Sequence, residues 1–275
     1  MKNIIGIDIG GSTTKIIGYR NGEIFSPLLV KANDPKASLY GAFGKFLSEN
    51  GLRIDDVHKV VVTGVGSSCL TEDLFGISTK RIEEFNAIGA GGLFLSKLEK
   101  AIIVSMGTGT AFVAAEGNSA RHLGGTGVGG GTLLGLSNRI LNVRSFDVLV
   151  ETAKEGNLSN VDLSIQDISN TEMKNLPQHI TASNFGKISD VASQGDLALG
   201  IVNLVFQTIG VMAMFASRKE QTKNVVLTGN LTHVPQANEI FDIMAKLYDI
   251  NFIIPEHSEY ATATGAALLF DKEDM

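Results

Sequence analysis

The chain has 275 residues, of which 44% are apolar and 19% are charged, a composition typical of a globular protein with a well-buried core. Its formal net charge of -6, without clustered Lys and Arg, argues against a broad nucleic-acid surface. The single cysteine, Cys69, excludes an internal disulfide and a cysteine-cluster zinc site, and we expect it to be a packed small residue.

The first predicted element is an apolar strand, Asn3–Ile9, which begins almost at Met1. We therefore expect no signal peptide. No apolar stretch is expected to reach the roughly 20 residues of a membrane span. These two features together predict a cytoplasmic protein that does not contact a membrane.

The first part of the chain shows three strands, a helix and a further strand. Asn21-Gly22 joins the second and third strands and predicts a hairpin, and Gly51 ends the helix. The predicted elements are Asn3–Ile9, Thr14–Tyr19, Glu23–Leu29, Pro35–Asn50 and Lys59–Thr63. This order is typical of one half of an actin-like fold.

The second part repeats the pattern, with little direct sequence identity between the halves. The predicted strands are Ala101–Ser105, Ala111–Ala115, Ser119–Leu123, Asn224–Leu227 and Asn251–Ile254. The predicted helices are Gly130–Leu141, Asp196–Ala216, Gln236–Tyr248 and Ala261–Phe270. The sequence thus predicts an α/β, two-lobed actin-like ATPase (ribonuclease H-like) fold with duplicated βββαβα halves and an interlobe cleft. We expect lobes at residues 1–98 and 99–275, the second with an irregular insert at about 156–186.

Three loops of glycine and threonine each follow an apolar strand, which suggests a nucleotide held between two similar halves. They are Gly10–Thr14, Gly107–Thr110 and Thr228–Asn230. Glycine lets the backbone approach a phosphate, and hydroxyl and N–H groups supply donors without bulk. The first loop also has Asp8 and Lys15 beside it, which a passive binder would not need.

Phosphoryl transfer requires donors around the phosphates, a divalent metal and a base for the acceptor hydroxyl. Asp8 is the predicted Mg²⁺ ligand, and Lys15 would neutralise the phosphates. The loop residues that would wrap the terminal phosphates of ATP are Gly10, Gly11, Ser12 and Thr13. The alternative is a hairpin whose Asp and Lys are merely solvated at its tip.

The glycine run Gly124–Gly135 would weaken a purely structural segment by roughly 0.5–1 kcal/mol per position relative to alanine. Some group is therefore expected to approach its backbone closely. Residues 129 to 132 lead into a helix, whose first N–H groups suit a phosphate or the ribose side of a nucleotide. For Gly107–Thr110 taken alone, an ordinary turn is an equally good explanation.

Two glutamates, Glu83 and Glu84, precede a helix of small residues. A carboxylate placed there would be a general base if the cleft closes over it. Paired surface glutamates are also common at helix starts, where they favour the helix dipole.

The chain resembles the type II pantothenate kinases, a branch of the actin-like sugar kinase/Hsp70 superfamily. The matching segments, in family order, are Gly6–Lys15, Glu84–Ala87, Gly107–Thr110, Gly124–Thr132 and Thr181–Gly186. The resemblance implies transfer of the ATP γ-phosphate to the primary hydroxyl of pantothenate, the committed step toward coenzyme A. It also implies a homodimer in which the long helix Asp196–Ala216 takes part.

Carried over residue by residue, the resemblance makes Glu84 the catalytic base and gives Asp8 a role in binding ATP phosphates and metal. The residues it assigns to the nucleotide are Gly10, Gly11, Ser12, Thr13, Thr14, Lys15, Thr108, Gly130, Gly131, Thr132, Leu133, Leu134, Phe146 and Asn230. It assigns Glu84, Arg121, His122 and Gly125 to the acceptor.

One position departs from the family. Where the family has an arginine implicated in gripping the acceptor, this chain has His122, preceded by Arg121. Histidine is only partly charged near neutral pH, whereas arginine is a permanent cation. We expect Arg121 to substitute by a local shift, or the acceptor to differ.

Three other interpretations remain. A sugar kinase of the same superfamily usually carries a cysteine-rich zinc motif, which one cysteine cannot form. An ATPase activator of a 2-hydroxyacyl-CoA dehydratase has a closely similar first loop but bridges an iron–sulfur cluster through cysteines with no counterpart here. A nucleotide-binding scaffold without turnover would gain nothing from Glu84.

Overall fold

The computed structural model describes residues 3–31, 34–169 and 177–273. The first half contains five strands and two helices, and the elements stand close to the predicted positions. They are β1 (Asn3–Ile9), β2 (Thr13–Arg20), β3 (Glu23–Lys31), α1 (Pro35–Glu49), β4 (Val57–Thr63), β5 (Thr79–Arg81) and α2 (Glu84–Ser96). The short strand β5 was not predicted, because three residues are too few to show a period.

The second half contains two small strands in addition to the repeated pattern. Its first elements are β6 (Lys100–Met106), β7 (Thr110–Glu116), β8 (Ser119–Thr126), α3 (Gly130–Leu141), α4 (Phe146–Ala153), β9 (Leu163–Ser164), α5 (Ile165–Ile168) and β10 (Thr181–Ser183). The chain continues through α6 (Gln194–Lys219), β11 (Asn224–Thr228), α7 (Pro235–Tyr248), β12 (Asn251–Ile253) and α8 (Ala261–Glu273).

The two large sheets have the same topology, so the predicted duplication and the actin-like fold are confirmed. The first sheet has the order β3-β2-β1-β4-β5 and the second, read in the same sense, β8-β7-β6-β11-β12. In each, the first three strands form an antiparallel meander, and the two remaining strands are added in parallel. The carboxyl ends of the central parallel strands therefore lie at one edge of each sheet.

The helices α2 and α8 link the two halves. α8 packs on the first sheet beside Ile4 and Ile17, although it comes last in the chain. α2 packs on the second sheet through Ile88 and Leu93. The two helices touch backbone to backbone, since a Cβ added at Gly91 would lie 1.8 Å from the Ala261 carbonyl oxygen. The division into lobes at residues 98 and 99 stays a prediction.

The long helix α6 forms the core of the second half with the face of the sheet opposite α2. By length and composition it could cross a membrane, since its most apolar 18-residue window has a mean hydropathy of 1.9, so the expectation that no stretch reaches that length is wrong. In the fold, 61% of its most apolar window is buried inside the protein, which accounts for its apolar character.

The predicted insert at 156–186 contains β9, α5 and β10, and its residues 170–176 lie outside the described residues. Its centre is Asp162, a buried carboxylate. Asp162 accepts hydrogen bonds from Phe185 N–H at 2.9 Å and Asn203 Nδ2 at 2.7 Å, which tie the insert to α6. The part of the insert that the structure describes is thus anchored to the second core.

Candidate active site

The first loop buries two opposite charges at the carboxyl end of β1. Asp8 and Lys15 are direct partners in the β1–β2 pair, with side-chain exposures of only 10% and 9%. Lys15 Nζ lies 3.6 Å from Asp8 Oδ2. Burial raises the pKa of Asp8 above its ordinary value, and the positive charge of Lys15 partly opposes that rise. This burial does not fit a solvated charge pair at a hairpin tip.

The tip of the same loop is open. Gly11 and Ser12 are exposed, and the turn is closed by Gly10 N–H donating to the Thr13 carbonyl at 2.9 Å. A phosphate can therefore approach the tip from solvent while the charges behind it remain buried.

Glu84 lies close enough to this charge pair to interact with it electrostatically. It is the first residue of α2, and Glu83 caps the helix by accepting from Asn86 N–H at 2.8 Å. Burial raises the pKa of Glu84, the negative charges of Asp8 and Glu83 raise it further, and Lys15 opposes the rise. Because such interactions weaken with distance, Asp8, Lys15 and Glu84 form one electrostatic cluster.

The second loop and the glycine run pack together through their backbones. Gly130 N–H donates to the Gly107 carbonyl and Gly131 N–H to the Thr108 carbonyl, both at 2.9 Å. A Cβ on Gly129 would lie 2.7 Å from the Thr108 oxygen, so the contact requires glycine at that position. Thr108 itself is exposed. The close approach that the glycine run predicted is therefore, in the first instance, an approach of the chain to itself.

Thr132 fixes the entry into α3. Its hydroxyl donates to the Gly127 carbonyl at 3.0 Å and accepts from Gly129 N–H at 3.2 Å. The first turn of this 12-residue helix thus stands beside the second loop, with its N-terminal N–H groups at the edge of the sheet.

The third loop contacts both of the others. Asn230 Nδ2 lies 3.4 Å from Thr13 Oγ1, a contact that bridges the two halves. Gly229, with a φ of 90°, would place a Cβ 2.4 Å from the carbonyl oxygen of Met106, which directly precedes the second loop. The structure therefore brings the three loops to one place.

Two residues that the resemblance gave to the nucleotide have their side chains elsewhere. Thr14 is fully buried and lies, like Ile16, on the face of β2 that packs against α1. Leu133 is fully buried in the core of the second half. Alternation along a strand and the inward face of a helix explain these two positions, and the assignment of both residues to the nucleotide stays a prediction. Leu134 and Phe146 are half-buried near α3 and α4, and their nucleotide contacts stay a prediction.

Arg121 and His122 point to opposite faces of the second sheet. Arg121 pairs with Ala114 on the α6 face, where its Nη2 lies 2.7 Å from Glu220 Oε2. His122 pairs with Val113 on the α2 face and stacks on Phe85, with ring centroids 3.8 Å apart at 8°. Phe85 directly follows Glu84. In this structure Arg121 does not stand in for His122, because the two residues pair regularly with Ala114 and Val113 on opposite faces of the sheet. Their roles toward the acceptor stay a prediction. Gly125 is exposed farther along β8.

The comparison with known families gives a match over residues 99–269 to the model described as Fumble. That range spans more than half of the chain. The chain belongs to the Fumble family.

Two curated relatives of this Fumble family member carry the same name. A type II pantothenate kinase of Bacillus cereus (strain G9842) is 28% identical over 247 residues, which cover 84% of this chain and 84% of the relative. A type II pantothenate kinase of Staphylococcus saprophyticus is 25% identical and covers 95% of this chain and 97% of its own. The resemblance inferred from the motifs is confirmed.

Solved structures support the fold alone. The activator of the 2-hydroxyisocaproyl-CoA dehydratase from Clostridium difficile, with bound ADPNP, matches with a TM-score of 0.73 at 21% identity, over 99% of this chain and 96% of that chain. A ROK hexokinase from Thermus thermophilus matches with a TM-score of 0.55 at 12% identity, over 97% of each chain.

The sequence analysis did not identify one turn of this site, the turn at Gly64 after β4. Gly64, directly after β4, has a φ of 88°, and a Cβ there would lie 2.5 Å from Asp8 Oδ1 and 2.6 Å from the Ile9 carbonyl oxygen. The turn therefore wraps the end of β1. A signal was present, since Val61–Gly64 and Val226–Gly229 read Val-Val-Thr-Gly and Val-Leu-Thr-Gly at the ends of equivalent strands.

The residues at the first loop fit a Mg²⁺ ion that is held jointly with a nucleotide. Within residues 3–31, 34–169 and 177–273, no group of three or more His, Cys, Asp or Glu side chains is arranged to hold a metal alone. Mg²⁺ commonly binds one or two carboxylates and takes its other oxygens from phosphate and water. Asp8, with Glu84 nearby, offers that kind of partial oxygen site.

Proposed function

We propose that this Fumble family chain is an ATP-dependent kinase that phosphorylates the primary hydroxyl of pantothenate, the first step toward coenzyme A. The observation that carries the proposal is the cluster of buried Asp8 and Lys15 with half-buried Glu84, at the point where glycine loops from both halves meet. The name shared by the curated relatives supplies the acceptor.

ATP would lie across the two halves. The open tip formed by Gly11 and Ser12 would receive the terminal phosphates, and Lys15 would turn toward them. The second loop and the start of α3 would receive the rest of the nucleotide, because Thr108 and Gly131 are exposed where these two segments pack together. The lobes are expected to close on ATP, since these loops belong to different halves.

Asp8 would hold Mg²⁺, directly or through water. When bound, the ion would offset the negative charge of the phosphates. The burial of Asp8 supports this role, because a carboxylate that is kept from solvent gains most from a cation that arrives with the substrate.

Glu84 would act as the general base. It would accept the proton of the pantothenate primary hydroxyl while that oxygen forms a bond to the γ-phosphorus and the bond from phosphorus to the β–γ bridging oxygen breaks, releasing ADP. The raised pKa of Glu84, caused first by burial and then by Asp8, makes it a stronger base than an exposed glutamate.

The acceptor would bind between Glu84 and β8. His122, held flat against Phe85, is the side chain of the Arg121–His122 pair that faces α2 and hence Glu84. It would donate a hydrogen bond to an oxygen of pantothenate, a task for which a neutral imidazole suffices. Gly125 would leave room beside it.

We further propose that the protein is a homodimer in the cytoplasm and that part of α6 lies in the interface. Phe215 on α6 is 61% exposed although this helix otherwise supplies core residues, which is consistent with cover from a second copy.

The dehydratase-activator alternative has less support. The activator from Clostridium difficile is similar in fold, at 21% identity. The one cysteine of this chain, Cys69, is partly buried against the core of the first half, which suits packing rather than a bridging cluster.

The test is ATP consumption with Mg²⁺ and a panel of acceptors: pantothenate, pantetheine and several hexoses. Wild type is compared with Glu84→Gln and with Glu49→Gln, an exposed glutamate of α1 that serves as the matched control. We expect turnover with pantothenate that falls by roughly 10²–10⁴-fold in Glu84→Gln, with ATP binding retained and the control unchanged. ATP binding without stimulation by any acceptor would contradict the proposal and favour an ATPase that acts on a protein partner.

A further inference from the structure

Two equivalent turns of the duplicated fold share one backbone conformation. β4 is the parallel neighbour of β1, and β11 is the parallel neighbour of β6. Gly64 follows β4 with φ 88° and ψ 160°, and Gly229 follows β11 with φ 90° and ψ 176°. Each glycine is preceded by a buried threonine, Thr63 or Thr228. Any difference between the two turns therefore lies in their side chains.

The two threonines differ in their hydrogen bonds. The hydroxyl of Thr228 donates to the Val104 carbonyl at 3.3 Å, within its own sheet. Thr63 has no exposed surface, and its hydroxyl has no hydrogen-bond partner among the residues that the structure describes. A buried hydroxyl without a partner is unfavourable, so a partner for Thr63 is expected in another state of the site.

Thr63 stands in a row with the charge pair. It is the β4 partner of Asp8, and Asp8 is the β1 partner of Lys15, so the three side chains share one face of the sheet. Neighbouring strands lie about 4.8 Å apart, and a rotation of the Asp8 side chain would bring an oxygen within hydrogen-bond reach of Thr63. Thr14, whose hydroxyl also has no partner there, faces the opposite side and is not in this row.

The two carboxylate oxygens of Asp8 are directed to different neighbours. Oδ2 is the oxygen 3.6 Å from Lys15 Nζ. Oδ1 lies on the β4 side, so close to Gly64 that a Cβ there would be 2.5 Å away. If Lys15 moves to the phosphates, Asp8 loses its neighbouring cation. The Thr63 hydroxyl on β4 can then donate a hydrogen bond to the Asp8 carboxylate.

We infer that Thr63 is a positioning residue for Asp8, whose carboxylate accepts the Thr63 hydroxyl once Lys15 has turned to the phosphates of the nucleotide. Thr63 then fixes the orientation in which Asp8 binds Mg²⁺. The turnover part of its test rests on the proposed kinase function, whereas the binding part does not.

The test compares Thr63→Val, which removes the hydroxyl and keeps the shape, with Thr63→Ser, which keeps the hydroxyl. Thr152→Val in α4, where the hydroxyl donates to its own helix at Val148 O, is the matched control. Two quantities are measured: kcat and KM with pantothenate, and the Mg²⁺ concentration that half-saturates binding of a non-hydrolysable ATP analogue in calorimetry.

For Thr63→Val we expect kcat to fall about three- to tenfold and the half-saturating Mg²⁺ concentration to rise by a similar factor, the effect of one hydrogen bond. KM for pantothenate should stay unchanged. Thr63→Ser should lie within about twofold of wild type, because it restores the donor. The control should match wild type in both measurements.

Equal Mg²⁺ dependence in Thr63→Val and wild type would overturn the inference. A defect that Thr63→Ser shares would also overturn it, since packing rather than the hydroxyl would then be responsible. If Thr63→Val fails to fold, Thr63→Ala compared with Thr63→Ser carries the same contrast, because both lack the methyl group. If the wild type does not phosphorylate pantothenate, the proposed function fails, and the calorimetric comparison still decides the role of Thr63.

Discussion

The two halves of the molecule place different side chains on the same backbone. In the first half, the strand pair β1–β2 brings Asp8 opposite Lys15. At the equivalent position of the second half, β6–β7 brings Ser105 opposite Ala111. The equivalence follows from the parallel neighbours, since Thr63 pairs with Asp8 and Thr228 with Ser105.

The difference shows that the two halves share one geometry and that the buried charge pair stands in the first of them. A buried charge pair has a desolvation cost, which a second copy would repeat without a second phosphoryl group to transfer. The second half instead has small residues and packed glycine loops, which leave room for the body of a nucleotide. Four predictions test this division, and the first has the largest expected effect.

Asp8→Asn should lower kcat by about 100-fold or more, because a neutral amide neither attracts Mg²⁺ nor balances Lys15. Ser105→Ala, at the equivalent position, should stay within about threefold of wild type, since a neutral hydroxyl there loses at most one hydrogen bond. Steady-state kinetics of both variants measure the contrast. A comparable loss in Ser105→Ala would show that the halves share the chemistry.

The same Asp8→Asn variant should not unfold at a lower temperature at pH 7.5. The folded pKa of Asp8 is raised, chiefly by burial, so its contribution to stability is greatest below the unfolded pKa and is lost as pH rises through the folded pKa. Above the folded pKa the ionised Asp8 carboxylate therefore opposes folding, and an uncharged amide at this position does not carry that cost. A clear drop in Tm would contradict this sign.

Gly91→Ala should destabilise the protein by about 1–3 kcal/mol, because the added Cβ would overlap the Ala261 carbonyl oxygen where α2 and α8 join the halves. The control is Gly44→Ala on the exposed face of α1, where nothing lies within 4 Å of the added atom. That change should stabilise by roughly 0.5–1 kcal/mol. Urea unfolding measures the free energy of unfolding of both variants. A value for Gly91→Ala equal to or above that of wild type would refute the prediction.

Glu83→Gln has the smallest expected effect. The negative charge of Glu83 helps to raise the pKa of Glu84, after burial and Asp8. Its removal should lower that pKa and move the acid limb of the kcat/KM profile to lower pH. The amide oxygen still caps α2. If the acid limb moved to higher pH, or if its shift were the same in high salt, the charge of Glu83 would not be the cause.

Much of the fold follows from local pattern. The apolar run of β1 and the capped, glycine-rich start of α3 are confirmed at their predicted limits, Asn3–Ile9 and Gly130–Leu141. β5 was not predicted, because a strand of three residues is too short to show an alternating pattern. The turn at Gly64 was not predicted as part of the site, because its role comes from its contact with Asp8. Asp8 is 56 positions earlier in the chain and is adjacent only in the sheet.

The sequence by itself determined the order of elements, the duplicated topology and the residue types for phosphoryl transfer, because periodicity, turn residues and motifs are local properties of the chain. Only the tertiary structure decided which side chains meet. It turned Arg121 toward Glu220 and His122 toward Phe85, moved Thr14 and Leu133 into the cores, and set Thr63 beside Asp8. The physical reason is that the face of a strand or helix that a residue occupies is fixed by register and packing against distant segments, which no local pattern specifies.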